Sequence, residues 1–184
     1  MTLTKTPICN FGEKAKDFNL TSIQNKKVSL NEIKGDKGTL IMFICNHCPY
    51  VKAIIKDIAE DTKFLENIGV KSVAIMSNDV KNYPEDSFDN MKSFSKLHSF
   101  SFPYLIDSTQ KVAKEYGAVC TPDFFGYNKN LELQYRGRIR ELKDLKPITK
   151  GDSDLRIAMK LVATSGKGPT KQVPSMGCNI KWFE

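Results

Sequence analysis

A mixed β-sheet flanked by helices on both faces, the α/β class, is predicted for this chain by three observations. The first is the run "TLIMFIC" at 39–45, apolar, β-branched and aromatic without the alternation of a half-exposed strand, which reads as a central strand buried on both faces. The second is a change of period just after it, where Val51, Ile54, Ile55, Ile58 and Leu65 recur at helical spacing while Lys52, Lys56, Asp57, Glu60 and Lys63 take the other face. The third is the order of elements: a hairpin, three strand–helix units, a strand pair and a last helix.

In chain order, "DFNL" and "KKVSL" separated by "TSIQN" predict an N-terminal β-hairpin. The buried strand and amphipathic helix described above follow, with Pro49 tolerable in the first helical turn. "VKSVAIMS" at 70–77 predicts a second buried strand, and the polar "NDVKNYPED" after it a loop. Residues 87–98 carry Phe88, Met91 and Phe94 on one side of a helix. "PYLID" predicts a third strand, and residues 110–116 a short helix closed by Gly117. "DFFGYN" and "LELQYRG" form an antiparallel pair turning at residues 128–130, and residues 154–162 a last helix. The remaining segment, 164–184, is rich in Gly, Pro and Lys and is expected to be a C-terminal tail on a single domain spanning 1–184.

Composition narrows the function classes. The chain has 184 residues, 40% hydrophobic and 27% charged, which suits one globular core. The net charge of +7 comes from lysines scattered among acids, a solvated face rather than a nucleic-acid stripe. No apolar leader or membrane-length run is present in "MTLTKTPICNFGEKAKDF" or beyond it, so the expectation is a cytoplasmic protein with neither nucleic acid nor membrane as partner. Five cysteines, Cys9, Cys45, Cys48, Cys120 and Cys178, are odd in number and irregularly spaced, unlike a secreted disulfide framework.

The chemistry concentrates in "FICNHCPYV" at 43–51, a Cys-x-x-Cys where a buried strand hands over to a helix. Open α/β sheets place their sites outside the carboxyl ends of strands. A thiol at a helix start meets unpaired N–H groups and the positive end of the dipole, which favour its thiolate, and two intervening residues keep the second sulfur within disulfide reach. The expected roles are Cys45 as exposed attacker and Cys48 as resolver, with His47 between them stabilising the Cys45 thiolate. A zinc site needs four ligands, of which this pair supplies two, with Cys120, Cys178 or His47 left to complete it. Two inert buried cysteines are the blandest account of the motif.

The segments "DFNL" with "VSL", "FICNHCPYVKAI", "IMSNDVKNYPEDSFDNMK", "FPYLIDSTQKVAKEYGAVCTPDFF", "YRGRI" and "PSMGCNIKW" together resemble the thioredoxin-fold superfamily. Within it the chain is most similar to the peroxiredoxin-like, AhpC/TSA-related proteins that carry a thioredoxin-type Cys-x-x-Cys. The resemblance implies a thioredoxin-like fold, Cys45 and Cys48 as the redox pair, and Thr121 with a cis Pro122 facing it. There the backbone before the proline offers a strand-like edge for an extended substrate peptide. It implies no cofactor and no metal beyond the cysteine pair itself. True peroxiredoxins read Pro-x-x-x-Thr-x-x-Cys, whereas Ile41, Cys45 and Cys48 stand here. The buried aspartate of ordinary thioredoxins is replaced by Thr39, and Asp79, after the second strand, is the candidate proton acceptor. Cys178 is either an auxiliary thiol or a packed cysteine of the tail, and burial is the expectation for Cys120.

The resulting expectation is a thiol-disulfide oxidoreductase, an antioxidant redoxin working through Cys45 and Cys48. Its partners are a disulfide-containing protein or a small thiol or peroxide, with a cellular thiol as reductant. Two alternatives stand beside it: a thiol-dependent peroxidase reacting through Cys48, and a non-enzymatic protein binding a metal or a partner through the same loop.

Overall fold

Residues 2–184 are described by a computed structural model. A short strand β1 (Leu3–Lys5) precedes the hairpin β2 (Asn19–Ser22) and β3 (Lys27–Ser29). Ser29 then starts the one-turn helix α1 (Leu30–Ile33) with a reciprocal cap, its hydroxyl accepting the Glu32 N–H while the Glu32 carboxylate accepts the Ser29 N–H. The apolar run becomes β4 (Gly38–Phe43), every residue buried, followed by α2 (Pro49–Asn67) and the second buried strand β5 (Val70–Met76). The polar loop after β5 contains one 3-10 turn, Pro84–Asp86, and leads into α3 (Phe88–Leu97), capped by the Ser87 hydroxyl.

Strand β6 (Tyr104–Ile106) and helix α4 (Lys111–Tyr116) come next, and Gly117 ends α4 at φ 62°, in the left-handed region that glycine enters without strain. Then follow β7 (Cys120–Thr121), β8 (Asp123–Asn128), β9 (Leu133–Tyr135), a small hairpin of β10 (Leu142–Lys143) and β11 (Lys146–Pro147), helix α5 (Asp154–Ser165) and β12 (Met176–Asn179).

The main sheet has seven strands in the order β3-β2-β6-β5-β4-β8-β9. Strand β4 lies inside it, parallel to β5 and antiparallel to β8, and β5 is parallel to β6. This central position explains why its sequence does not alternate. Leu40, Met42 and Ile44 pack with the apolar faces of α2, α3 and α5, while Ile41 and Phe43 pack on the other face with α1 and α4. Fully burying each such side chain contributes roughly 1.5–3 kcal/mol, which anchors the strand that delivers the cysteine motif. No helix among the described residues is long and apolar enough to cross a membrane.

The expectation of a tail at 164–184 needs correction. Helix α5 runs on to Ser165, and β12 forms the middle of a second, three-stranded sheet in the order β1-β12-β7. Strands of two to four residues carry too little period to be read from sequence, and "PSMG" reads as punctuation rather than strand.

Helix α5 is fixed to α2 by one polar cluster. The Ser153 hydroxyl caps α5 by accepting the Arg156 N–H at 2.9 Å and donates to the buried Asp61 carboxylate of α2, which also accepts from Arg156 Nε at 2.7 Å. Ser153→Ala removes the cap and one of the donors to Asp61, and is expected to cost about 1–2 kcal/mol. The check is the urea midpoint of the variant against the parent; an unchanged midpoint would refute the capping role.

Candidate active site

Residues 44–48 carry the chain from the end of β4 to the start of α2, and Cys48 is the N-cap residue, with Pro49 at the first helical position. The turn between the cysteines is held from below by Asp86, which has no exposed surface. Its Oδ1 accepts the backbone N–H of Asn46 at 2.8 Å and of His47 at 3.3 Å, and its Oδ2 accepts Asn78 Nδ2 at 2.8 Å. The His47 ring completes the set, Nδ1 lying 2.7 Å from Asp86 Oδ2. Asn46 is fixed in turn, its side-chain oxygen accepting the Tyr104 hydroxyl and its amide donating to the Glu85 carbonyl. The His47 ring stacks on Tyr83 at 5.7 Å, and its buried Nε2 has no partner among the described residues.

These contacts set the ionisation of the groups. The hydrogen bond to Asp86 raises the His47 imidazole above its ordinary value against the opposing effect of burial. Burial pushes the Asp86 carboxyl up, but the hydrogen bonds from His47 and Asn78, with the His47 charge, overcome it and hold the carboxyl below its usual range.

The two cysteines differ in their electrostatic surroundings. Both cysteines are sealed, Cys45 1% and Cys48 0% exposed, so neither is the open attacker expected of Cys45. The Cys45 thiol is pushed up by its hydrogen bond to Cys48, by burial and by the nearby Asp86 charge. Cys48 is the ionised member, drawn down to about 5 by the hydrogen bond from Cys45 and, against burial, by the N–H groups of Val51 and Cys178. The Cys48 sulfur also lies 3.1 Å from the Thr121 carbonyl oxygen, a contact that only the protonated thiol makes as donor. The amide donors favour the thiolate, and two amides with a neighbouring thiol outweigh one carbonyl.

His47 stands near both sulfurs: a ring nitrogen lies within 4.8 Å of Cys45 Sγ, and the Cys48 charge also acts on it. Its ring is committed to Asp86, and the Cys48 charge is among the influences that raise it.

The Thr121–Pro122 peptide bond is cis, and the Thr121 hydroxyl sits 3.3 Å from Cys45 Sγ. The backbone edge at Thr121, expected to receive a substrate peptide, is instead occupied by the chain's own β12, antiparallel, with Cys178 opposite Thr121. Cys178 is 4% exposed and its sulfur lies 3.2 Å from Cys48 Sγ. Cys120 is buried, its thiol raised by that burial.

Asp79 does not reach the pair in the manner expected. Its carboxylate accepts Lys81 N–H and Asn82 Nδ2 inside its own turn. The acid at the site is Asp86, which sequence reasoning passed over although "YPED" places two acids in the same loop. Asn46, Asn78 and Tyr104 were missed as well.

Cys45 Sγ, a His47 ring nitrogen and an Asp86 oxygen lie within 4.8 Å of one another, a set of three metal-type donors. The His47–Asp86 separation of 2.7 Å is that of a hydrogen bond. Donors at about 2.0–2.2 Å around a tetrahedral zinc stand more than about 3 Å apart, so a metal would have to open that pair.

The chain matches the AhpC/TSA family over residues 11–142. It is similar to an uncharacterized conserved protein of Geobacillus kaustophilus, 39% identical with a TM-score of 0.93, covering 100% of this chain and 97% of that one. A thiol:disulfide interchange protein of the thioredoxin family from Chlorobium tepidum is 18% identical with a TM-score of 0.62 over 83% of this chain and 97% of that one, a likeness of fold. In sequence the chain is similar to the thiol-disulfide oxidoreductase ResA of Bacillus thuringiensis subsp. konkukian, 27% identical over 127 residues, 69% of each. With its seven-stranded mixed sheet, its Cys-x-x-Cys at a helix start and a family match spanning most of its length, the chain belongs to the AhpC/TSA family and has a thioredoxin-like fold.

Proposed function

We propose that the protein is a thiol-disulfide oxidoreductase in which Cys48 attacks and Cys45 resolves. The observation that carries the reading is the environment of Cys48: a thiol at a helix N-terminus, drawn down to about 5, beside a second thiol close enough to hydrogen-bond with it. The Cys48 thiolate attacks one sulfur of a substrate disulfide and displaces the other as a thiolate, which takes up a proton. Cys45 then gives up its proton and attacks Cys48 Sγ, forming the Cys45–Cys48 disulfide and releasing the second substrate thiol. Two electrons pass from the pair to the substrate with one proton from Cys45 and one from solvent, Cys48 being already ionised, and a cellular thiol returns the pair to the reduced state.

Asp86 and His47 act as positioning residues. Asp86 holds the turn between the sulfurs, and the imidazolium it favours offsets the Cys48 charge. Thr121, through its hydroxyl on Cys45 Sγ, holds the resolving sulfur in place. The substrate class is a protein disulfide or small disulfide, in line with the name of the ResA relative.

Three outcomes test this. Cys48→Ser is expected to lose reduction of a small disulfide to background, whereas Cys45→Ser retains the first attack and accumulates a mixed disulfide at Cys48. Full turnover by Cys48→Ser would overturn the assignment, and rapid peroxide consumption surviving Cys45→Ser would favour the peroxidase alternative instead.

The pH dependence of alkylation gives a second check. A thiol drawn down to about 5 is half ionised there, so the iodoacetamide rate at Cys48 is expected to rise through that pH and be near its plateau at neutrality. A rise near pH 8.5, the ordinary range for cysteine, contradicts the reading.

Asp86→Asn removes the main cause of the raised His47 value. The His47 titration, followed by NMR in a chain with two histidines, is expected to move down in pH. Because a raised histidine value means stability present below about 6.5 and lost as pH rises through the folded value, the parent loses stability over that window and the variant does not.

A further inference from the structure

The edge of Thr121 is filled by a strand that brings a third sulfur into the site. Strand β12 pairs with β7 through Cys178 opposite Thr121 and Asn179 opposite Cys120, and β1 covers its other side, Leu3 opposite Cys178. The seat is close-fitting. Gly177 has no side chain where a Cβ would overlap the Thr121 carbonyl oxygen and stand 3.0 Å from Pro122 Cδ. Before the strand, the Ser175 hydroxyl donates to the Pro122 carbonyl at 2.8 Å; after it, the Lys181 N–H donates to Asn78 Oδ1 at 2.9 Å and the Lys181 carbonyl accepts from Gln110 Nε2 at 2.7 Å. Cys178 lies between these two anchorages, its sulfur 3.2 Å from Cys48 Sγ. A disulfide is about 2.05 Å long, so bonding requires an approach of roughly 1 Å.

We propose that Cys178 is a second resolving thiol, so that Cys48 forms alternative disulfides with Cys45 and with Cys178. The proposal rests on the reading of Cys48 as the attacking sulfur. After Cys48 has taken up half of a substrate disulfide, Cys178 loses its proton to the departing thiolate and attacks Cys48 Sγ. The Cys48–Cys178 bond forms, the Cys48–substrate bond breaks, and the substrate leaves as a thiol. The balance is the same as with Cys45: two protein thiols oxidised, one substrate disulfide reduced to two thiols. From the Cys45–Cys48 disulfide, attack by Cys178 on Cys48 Sγ expels Cys45, which takes the proton Cys178 gave up. No electrons leave the protein in that exchange, and the oxidised bond moves to the C-terminal strand. That bond ties β12 to the start of α2 and fastens the strand over the site.

Burial pushes the Cys178 thiol up to about 12, with the Lys181 charge acting the other way. Attack by Cys178 therefore follows proton loss to a leaving thiolate and does not compete with Cys48 for the first step.

The test oxidises the full chain with oxidised glutathione, stops exchange with acid, blocks remaining thiols with N-ethylmaleimide under denaturing conditions, and maps linked peptides by mass spectrometry. Wild type is expected to give both the 45–48 and 48–178 linkages, Cys178→Ser only 45–48, and Cys45→Ser only 48–178. Gly177→Ala keeps all three sulfurs but displaces β12, and is expected to lose the 48–178 linkage while keeping 45–48. A folded Cys45→Ser that stops at the glutathione adduct of Cys48, with no 48–178 linkage in wild type either, overturns the proposal and leaves the Cys45–Cys48 couple intact. A 48–178 linkage without any 45–48 linkage supports the proposal while removing Cys45 as resolver. Glutathione found on Cys45 alone overturns both.

Discussion

A buried carboxylate with four donors converging on it fixes the turn between the two cysteines. Asp86 accepts two consecutive backbone N–H groups, an asparagine amide and a histidine ring nitrogen, and has no contact with solvent. An isolated buried charge costs several kcal/mol, and a buried donor left unpaired about 1–3 kcal/mol. The two debts cancel only when the acid and all its donors are in place together. This mutual requirement sets where Asn46 and His47 lie, and therefore where the sulfurs on either side of them point. Asn78 extends the arrangement, since its other side-chain atom accepts the Lys181 N–H that anchors the C-terminal segment. The turn, the loop after β5 and the end of the chain are thus held by one hydrogen-bonded set.

Burial raises every buried thiol, and only at Cys48 do hydrogen bonds overcome it. At Cys120 and Cys178 burial prevails and the thiols are raised. At Cys48 a neighbouring thiol and two amides favour the charge more than burial opposes it. A thiol whose value falls on folding contributes stability above its unfolded value near 9, and that contribution fades as pH drops to about 5. It belongs to the reduced protein alone, because a disulfide has no proton to lose.

The parts of this arrangement that are legible in sequence are those that periodicity or a short motif encodes. The central strand, the amphipathic α2 and the Cys-x-x-Cys between them follow from a change of period at one junction. The cis bond before Pro122 follows from resemblance alone. Asp86 was hidden because its role depends on the loop after β5 folding back beneath the cysteine turn, a contact across about forty residues with no local signature. Asp79 drew attention by lying nearest the strand end, yet its carboxylate is used up within its own turn. Which of Cys45 and Cys48 has the lowered thiol is hidden for a related reason: spacing identifies a pair but not which sulfur receives the amides. Strand β12 was read as a tail because Gly177, needed for close approach to Thr121, is also what a turn prediction looks for.

The position of β12 reconciles a sealed site with chemistry that needs a partner. Its pairing with β7 involves only Cys178 with Thr121 and Asn179 with Cys120, a far smaller interface than the six-residue registers joining β4 to β5 and β8. Local opening costs less where fewer buried contacts are broken, and β12 is held in addition by β1 and by the anchorages at Ser175 and Lys181. Any substrate that reaches Cys48 must part that pairing, since Cys178 lies against that sulfur and β12 occupies the backbone edge beside it. A partner strand would then meet, at Thr121, the same N–H and C=O groups that β12 had used.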